Sequence, residues 1–175
     1  MSDKLCQQRS EIDQKFKWDI EAMYPDESLW EKDLEECMQE ASNFSRFKGK
    51  ITESAHTLYD ALEAKDRIFR KLEHAFVYAA MKKDEDNRVT KYQSMDDKCG
   101  SAIAKISASL SFFAPELLEA EPETIQKYIA ENPKLELYRF ALEDALREKE
   151  HVLSTAEENI LAVIDPVQHG LDMLY

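Results

Sequence analysis

Residues 88–113 read RVTKYQSMDDKCGSAIAKISASLSFF, and this stretch decides the fold class. Apolar side chains return every three or four residues along its whole length, which is the spacing of one face of a long α-helix. That face consists of Val89, Tyr92, Met95, Cys99, Ile103, Ile106, Leu110 and Phe113. Small residues fill the intervening positions, so we expect neighbouring helices to approach closely. Gly100 costs about 1 kcal/mol relative to alanine inside a helix, and we therefore expect it to mark a helix crossing.

The sequence before this stretch predicts further helices. The first should begin near Asp26 or Ser28 and run to about Phe44, with one apolar stripe of Trp30, Leu34, Cys37, Met38 and Ala41. Thr52 or Ser54 can cap a short helix that carries Leu58, Ala61 and Leu62. A longer helix should follow, with its core face formed by Ile68, Leu72, Ala75, Phe76 and Ala79. The segment around Trp18 to Tyr24 is expected to lie across the helices.

The sequence after residue 113 carries three helix-start signals. Pro122 suits the first position of a short helix through Ile129. Asn132 followed by Pro133 provides a cap and a helix start. Ser154, with Glu157 three residues later, forms a capping box ahead of an apolar stripe of Ile160, Leu161 and Ile164.

Glycine and proline are scarce in this chain. It has 3 glycines and 5 prolines in 175 residues, too few for the many tight turns of a sheet protein. We therefore predict an all-α fold, a single helical domain of about five to seven antiparallel helices with one long helix near 88–113. The expected organisation is a loose segment over 1–17, the helical domain over 18–164, and a tail over 165–175 that ends before any catalytic domain.

Charge and cysteine content narrow the function classes. The net charge is −13 and no cationic cluster appears, which disfavours nucleic acid and anionic membranes as partners. Cys6, Cys37 and Cys99 form no CxxC pair, which is typical of reduced thiols in a cytoplasmic protein. Cys37 and Cys99 fall on apolar helical positions, so we expect them to pack in the core.

The histidines do not spell a catalytic zinc motif. None of His56, His74, His151 and His169 begins an HExxH sequence. Two Glu-x-x-His pairs occur, Glu53 with His56 and Glu148 with His151. Helical bundles can use that spacing to hold two metal ions, but these pairs lie near predicted helix ends, where solvated side chains are the usual case. His74 lies on an apolar stretch and is interpreted as a packed histidine.

Residues 84–89, DEDNRV, begin like a calcium-binding loop. Calcium loops require an oxygen ligand at the fifth position and glycine at the sixth. This segment has arginine at the fifth position and valine at the sixth. A helix break with capping acids explains the segment better. The sequence therefore assigns no catalytic, cofactor-binding or metal-binding residue.

Several ordered blocks resemble one family, oligoendopeptidase F. Residues 18–25, WDIEAMYP, and 30–34, WEKDL, look like its start. Three later blocks are similar to stretches of the same family and follow in the same order: 78–86, YAAMKKDED; 111–118, SFFAPELL; and 147–154, REKEHVLS. The resemblance covers roughly residues 10–163.

The resemblance implies an N-terminal helical lobe of a thimet-type zinc endopeptidase that hydrolyses short peptides in the cytoplasm. Its zinc ligands and general base would lie in a later catalytic lobe, so this chain alone should be inactive and hold no cofactor. Its expected partner is that lobe or a complementing protein. The alternative is a stand-alone helical module that binds peptides or proteins. The apolar stretch from Val163 to Tyr175 also suggests weak self-association, opposed by the net charge.

Overall fold

The computed structural model describes residues 11–149. Within that range every regular element is helical, which confirms the predicted all-α class. The α-helices are α1 (Glu27–Asn43), α2 (Ala55–Glu85), α3 (Thr90–Leu110), α4 (Phe113–Leu118), α5 (Pro122–Glu131) and α6 (Arg139–Glu148). Short 3-10 turns lie at Gln14–Phe16, Ile20–Ala22, Phe44–Phe47 and Pro133–Tyr138.

Helices α1, α2 and α3 pack against one another. Trp30 near the start of α1 meets Ala75 late in α2, and Glu40 near the end of α1 pairs with Arg67 earlier in α2. These two helices therefore run antiparallel, as predicted. α2 and α3 form a second antiparallel pair, because Lys83 late in α2 pairs with Asp96 of α3 while Ala75 earlier in α2 accepts from Cys99 later in α3.

The sequence divided residues 55–85 into two helices, and this division is wrong. α2 is one helix of 31 residues, which makes it longer than α3 with 21. Ser54 caps its start as predicted, with its side-chain oxygen accepting from the Thr57 N–H at 3.1 Å. α2 is continuous through residues 63–67, where Ala64 is buried and Arg67 donates to Glu63 one turn away on α2 and to Glu40 on α1, both at 2.9 Å.

The prediction that Gly100 marks a close helix crossing is wrong. Gly100 is exposed, and a Cβ atom built on it would meet nothing within 4 Å. Among the small residues of α3, Ala102 is buried, whereas Ser101, Ala104, Ser107, Ala108 and Ser109 are exposed. The buried face is instead made by Met95, Cys99, Ile106 and Leu110 together with Ala102.

The prediction that Phe76 belongs to the core face of its helix is also wrong. Its side chain is 38% exposed, while Ala75, Tyr78 and Ala79 are buried. One residue of helix turns the side chain by about 100°, so Ala75 already occupies the position that faces α1 and α3. Phe76 therefore belongs to the outer face of α2.

The chain separates into two compact units, Met1–Glu119 and Ala120–Tyr175. In the first unit, Gly49 has a φ of 74°, and its N–H donates to both carboxylate oxygens of Glu116 at 2.8 Å. The sequence marks no boundary at Ala120, and the proposed domain limits of 18 and 164 remain a prediction.

The described part of the second unit contains α5, a 3-10 turn and α6. Pro122 is the first residue of α5, as predicted. Asn132 accepts from the Lys134 N–H at 3.2 Å, as predicted for a cap. However, the first turn after it is 3-10 and α6 begins at Arg139. The buried apolar side chains here are Ala120, Ile125, Ile129, Leu135 and Leu142. The capping box at Ser154 and the apolar tail lie outside the described residues.

Candidate functional site

A groove runs between α1 and α3 on the first unit. It consists of two adjoining cavities of about 430 and 410 Å³. The two cavities share four lining residues, Trp30 and Glu31 from α1 and Ser94 and Lys98 from α3. Cavities of several hundred cubic ångströms are large enough to hold a small ligand or a few side chains.

The floor of the groove is apolar and rigid. Trp30 is only 1% exposed, and its indole Nε1–H donates to the Ala75 carbonyl of α2 at 2.9 Å. A buried indole N–H needs such a partner, and the bond fixes the orientation of the ring. Leu34 and Ala102 are buried beside it, and Met38 is half-buried at one end.

The rim of the groove is charged and joins the two helices. Lys98 of α3 donates to Glu31 of α1 at 2.8 Å, and this hydrogen bond lowers the pKa of Glu31 below its ordinary value. Lys91 of α3 makes a second ion pair with Glu27 of α1. The two ion pairs therefore bridge α1 and α3 at two points along the rim of the groove.

The lining of the groove combines polar and apolar groups. Its residues contribute carboxylates, ammonium groups, hydroxyls and apolar side chains, and neither cavity is lined by a histidine or a cysteine. The carboxylates Glu31, Glu35 and Asp97 are exposed. An apolar floor with polar groups at its edge favours an occupant with apolar side chains and a hydrated backbone.

A second polar cluster surrounds Lys82, which the sequence did not single out. Lys82 is 8% exposed, and its Nζ donates to Glu21 at 2.6 Å while lying 5.7 Å from the Tyr78 ring and 5.9 Å from the Tyr92 ring. Burial disfavours the charge of Lys82, but the hydrogen bond that Lys82 donates to Glu21 and the electrostatic effect of the neighbouring Tyr78 outweigh burial and raise the pKa of Lys82. The sequence did not indicate this burial, because α2 carries many charged residues and most lysines on such helices are exposed.

Tyr24 ties the same segment to α1 and α2. Its hydroxyl donates to Asp33 at 2.9 Å, and its ring lies 4.7 Å from the His74 ring and 5.0 Å from that of Tyr78. Burial and then the Asp33 hydrogen bond raise the pKa of Tyr24. With Ile20 fully buried, the segment before α1 lies across α2, as the sequence predicted. His74 packs on Tyr24 but is itself exposed, so its prediction as a packed residue is only partly right.

The Glu-x-x-His pairs do not form a metal site within the described residues. Glu53 precedes the cap of α2 and is exposed, while the exposed His56 lies 3.4 Å from Asp60 on the same helix. The position of His151 lies outside the described range. Among residues 11–149, no group of three or more histidines, cysteines, aspartates or glutamates is placed to hold a metal ion.

Residues 86–89 form the turn between α2 and α3, so the predicted helix break is confirmed. The predicted capping by acids is not seen at α3, whose N-cap is Val89 without a side-chain hydrogen bond. Asp86 accepts from the Arg88 N–H at 3.1 Å and from its guanidinium at 2.8 Å. These hydrogen bonds lower the pKa of Asp86 to about 2. The carboxylate is therefore occupied by Arg88 rather than arranged around a cation.

Comparison with known proteins identifies relatives of the whole chain. The sequence profile of a peptidase family described as Oligopeptidase F matches residues 116–172. The chain is 34% identical over 154 residues to Oligopeptidase PepF of Bacillus subtilis, covering 88% of this chain and 23% of that protein. It is 35% identical over 158 residues to Group B oligopeptidase PepB of Streptococcus agalactiae, covering 90% of this chain and 26% of that protein.

A solved structure gives the same result. The crystal structure of oligoendopeptidase-F from Enterococcus faecium matches with a TM-score of 0.69 and 30% identity. The match covers 81% of this chain and 28% of that one. The chain thus spans about a quarter of the length of the relatives it matches. Among residues 11–149, no helix has the length and apolar character needed to cross a bilayer.

Proposed function

Because this chain corresponds over about 90% of its length to the N-terminal domain of oligoendopeptidase F-type peptidases, we propose that it is the N-terminal helical lobe of a zinc endopeptidase acting on short peptides. The observation that carries the proposal is the coverage. The similarity extends over 88% of this chain but only 23% of its Bacillus relative, so the remaining sequence of such an enzyme would supply the chemistry.

The zinc chemistry is assigned to that remaining sequence. The chain contains no HExxH motif, and the described residues bring no set of metal ligands together. We therefore propose that the chain alone is not a peptidase and needs no cofactor. Its residues would act by limiting access to the catalytic lobe, admitting short unfolded peptides and excluding folded proteins. Its reduced, buried cysteines favour the cytoplasm.

The outer face of α2 is the surface we assign to the rest of the enzyme. Three large apolar side chains, Phe69, Phe76 and Val77, are between 36% and 38% exposed there. Phe69 and Phe76 are seven residues apart and lie on the same face of α2, and Val77 lies about 100° around the helix from Phe76. We call these three side chains the stripe. Contiguous exposed apolar side chains are typical of surfaces that another part of a protein covers. A catalytic lobe packed on this stripe would be the partner expected from the family.

A chimera tests the proposal. This chain would replace the matching quarter of Bacillus subtilis Oligopeptidase PepF, and cleavage of a short unstructured peptide and of a stable folded protein would be measured with zinc present. We expect the chimera to cleave the peptide and spare the folded protein, and the isolated chain to cleave neither. A chelator-sensitive peptidase activity of the isolated chain would contradict the proposal.

Matched substitutions test the assigned surface. Phe76→Glu in the chimera should weaken association with the catalytic lobe and lower activity. Phe16→Glu, at a more exposed aromatic outside the stripe, should leave both unchanged. A folded chimera without activity would count against this surface. An equal loss of activity in the Phe76→Glu and Phe16→Glu variants would also count against it.

The groove between α1 and α3 favours one alternative function. A stand-alone module would bind peptides there, on the apolar floor formed by Trp30, Leu34 and Met38. Titration of the isolated chain with unstructured peptides distinguishes the two. The alternative would be supported if the isolated chain binds peptides saturably, if Met38→Asp abolishes this binding, and if the chimera is inactive.

A further inference from the structure

The two cavities of the groove differ in how their charged side chains are paired. In the second cavity, of about 410 Å³, each charged side chain has a partner within the chain. Lys98 donates to Glu31, and Lys91 forms an ion pair with Glu27. The remaining carboxylate, Asp26, accepts from a backbone N–H at the start of α1 at 2.7 Å. The charges described at the second cavity are therefore satisfied without a ligand.

The first cavity, of about 430 Å³, is lined by charged side chains that no described residue pairs. Among residues 11–149, the side chains of Glu35, Asp97 and Lys105 form no hydrogen bond or ion pair, although all three line this cavity. Glu35 belongs to α1 and Lys105 to α3, so a carboxylate and an ammonium group stand on opposite walls. Asp97 shares the α3 wall with Lys105. The first cavity therefore presents opposite charges across its width.

Apolar side chains lie between these two walls. Trp30, Leu34 and Ala102 are buried at the floor, and Met38 is half-buried at one end. The hydrogen bond from the Trp30 indole to the carbonyl of Ala75 fixes the orientation of the ring. An occupant that matches this cavity is therefore apolar in its middle and carries a positive and a negative group at its two ends.

A very short peptide with free termini has this chemistry. At neutral pH its amino end carries an ammonium group and its carboxyl end a carboxylate. The axes of packed helices are about 8–10 Å apart, and an extended chain spans about 3.3–3.6 Å per residue. Two or three residues, with a length of about 7–10 Å, therefore suffice to reach from Glu35 to Lys105. A longer extended peptide would place at least one terminus beyond these side chains.

We propose that the first cavity binds peptides of two or three residues that have free termini and apolar side chains. The ammonium group of the peptide binds Glu35, its carboxylate binds Lys105, and an apolar side chain packs on Trp30. Hydrolysis of short peptides releases fragments of this kind, so under the proposed function the cavity receives products of the enzyme. The binding itself does not rest on that function, because it involves this chain alone.

Nuclear magnetic resonance of the ¹⁵N-labelled full chain, titrated with leucyl-leucine, tests the proposal. The indole N–H signal of Trp30, at the floor of the cavity, should shift saturably, whereas that of Trp18, which does not line the groove, should not move. N-acetylation or C-terminal amidation of the dipeptide removes one charge and should weaken binding about threefold. The Glu35→Gln protein should bind the free and the acetylated dipeptide equally well, and the Lys105→Gln protein the free and the amidated one.

Two control variants remove the same charges at exposed positions outside the groove. Glu73→Gln and Lys50→Gln should keep the preference of the parent for free termini. A Trp30 signal that does not shift would overturn the proposal, and so would equal binding of free and capped dipeptides by the parent. Discrimination that survives the matching substitution at Glu35 or Lys105 would overturn it as well. Because binding is measured at Trp30 and not by cleavage, an inactive chimera would contradict the proposed function without affecting this result.

Discussion

The Nζ of Lys82 donates a 2.6 Å hydrogen bond to the carboxylate of Glu21, 61 residues earlier in the chain. The lysine side chain is 10% exposed and that of the glutamate 58%. The pair joins the segment before α1 to α2, next to the rings of Tyr78 and Tyr92. Removing the glutamate therefore leaves a buried ammonium group, whereas removing the lysine leaves a carboxylate in water. The two substitutions should differ in their effect on the free energy of unfolding.

We expect Glu21→Gln to lower the free energy of unfolding by about 1 kcal/mol, because it leaves the buried ammonium of Lys82 with a weaker acceptor. Lys82→Met should cost less than about 1 kcal/mol, since methionine packs on the tyrosine rings and leaves Glu21 in water. Urea unfolding of both variants and of the double variant measures this. Once Lys82 is replaced by methionine, Glu21→Gln should have no further effect on stability. A double variant less stable than Lys82→Met alone would contradict this coupling.

Acid should weaken the turn between α2 and α3. The hydrogen bonds from Arg88 lower the pKa of Asp86 to about 2 from an ordinary value of 3.8. A carboxylate with a lowered pKa stabilises the folded state above its unfolded pKa, and this contribution is lost as pH falls through the folded value. We expect the parent to lose more stability than Asp86→Asn between about pH 4 and pH 2. Urea midpoints across this range check it, and parallel curves for the two proteins would refute it.

Two glycines should respond in opposite directions to alanine. Gly100 lies exposed inside α3 with open space around its Cα, so Gly100→Ala should raise the free energy of unfolding by about 0.5–1 kcal/mol. Gly49 has a φ of 74°, and Gly49→Ala should lower it by about 1–2 kcal/mol. Thermal and urea unfolding measure both. A destabilised Gly100→Ala protein would mean that something covers this face of α3.

The two described cysteines should be unreactive in the folded protein. Cys37 and Cys99 are fully buried, and burial raises the pKa of each thiol to about 11. Fewer than about one in a thousand of these thiols is then ionised at pH 7.5. In a Cys6→Ser background, we expect iodoacetamide to modify neither thiol without denaturant and both in urea. Rapid labelling of the folded protein would show that α1, α2 and α3 open locally.

The family resemblance and the helical class could both be predicted from the residues, whereas the candidate groove could not. The blocks around Trp18, Tyr78 and Phe112 preserve their order along the chain, and this order needs no structure to be seen. The groove depends on how far α1 and α3 stand apart over Trp30, and this distance is set by contacts with α2. The burial of Lys82 has the same origin, because it depends on Glu21 and Tyr92, which come from other segments of the chain, as well as on Tyr78 one turn away on α2.

The sequence alone determined that the chain is helical and where several helices begin, because capping and periodicity act between residues a few positions apart. Asp26 and Ser54 cap helices by bonds to backbone N–H groups two or three residues ahead. The tertiary structure decided that α2 is one helix, because Ala61, Leu62, Ala64 and Ile68 are all buried along its length. It also decided that Gly100 and Phe76 face outward. Periodicity defines an apolar face, but the positions of the neighbouring helices select which residues at its edge are buried.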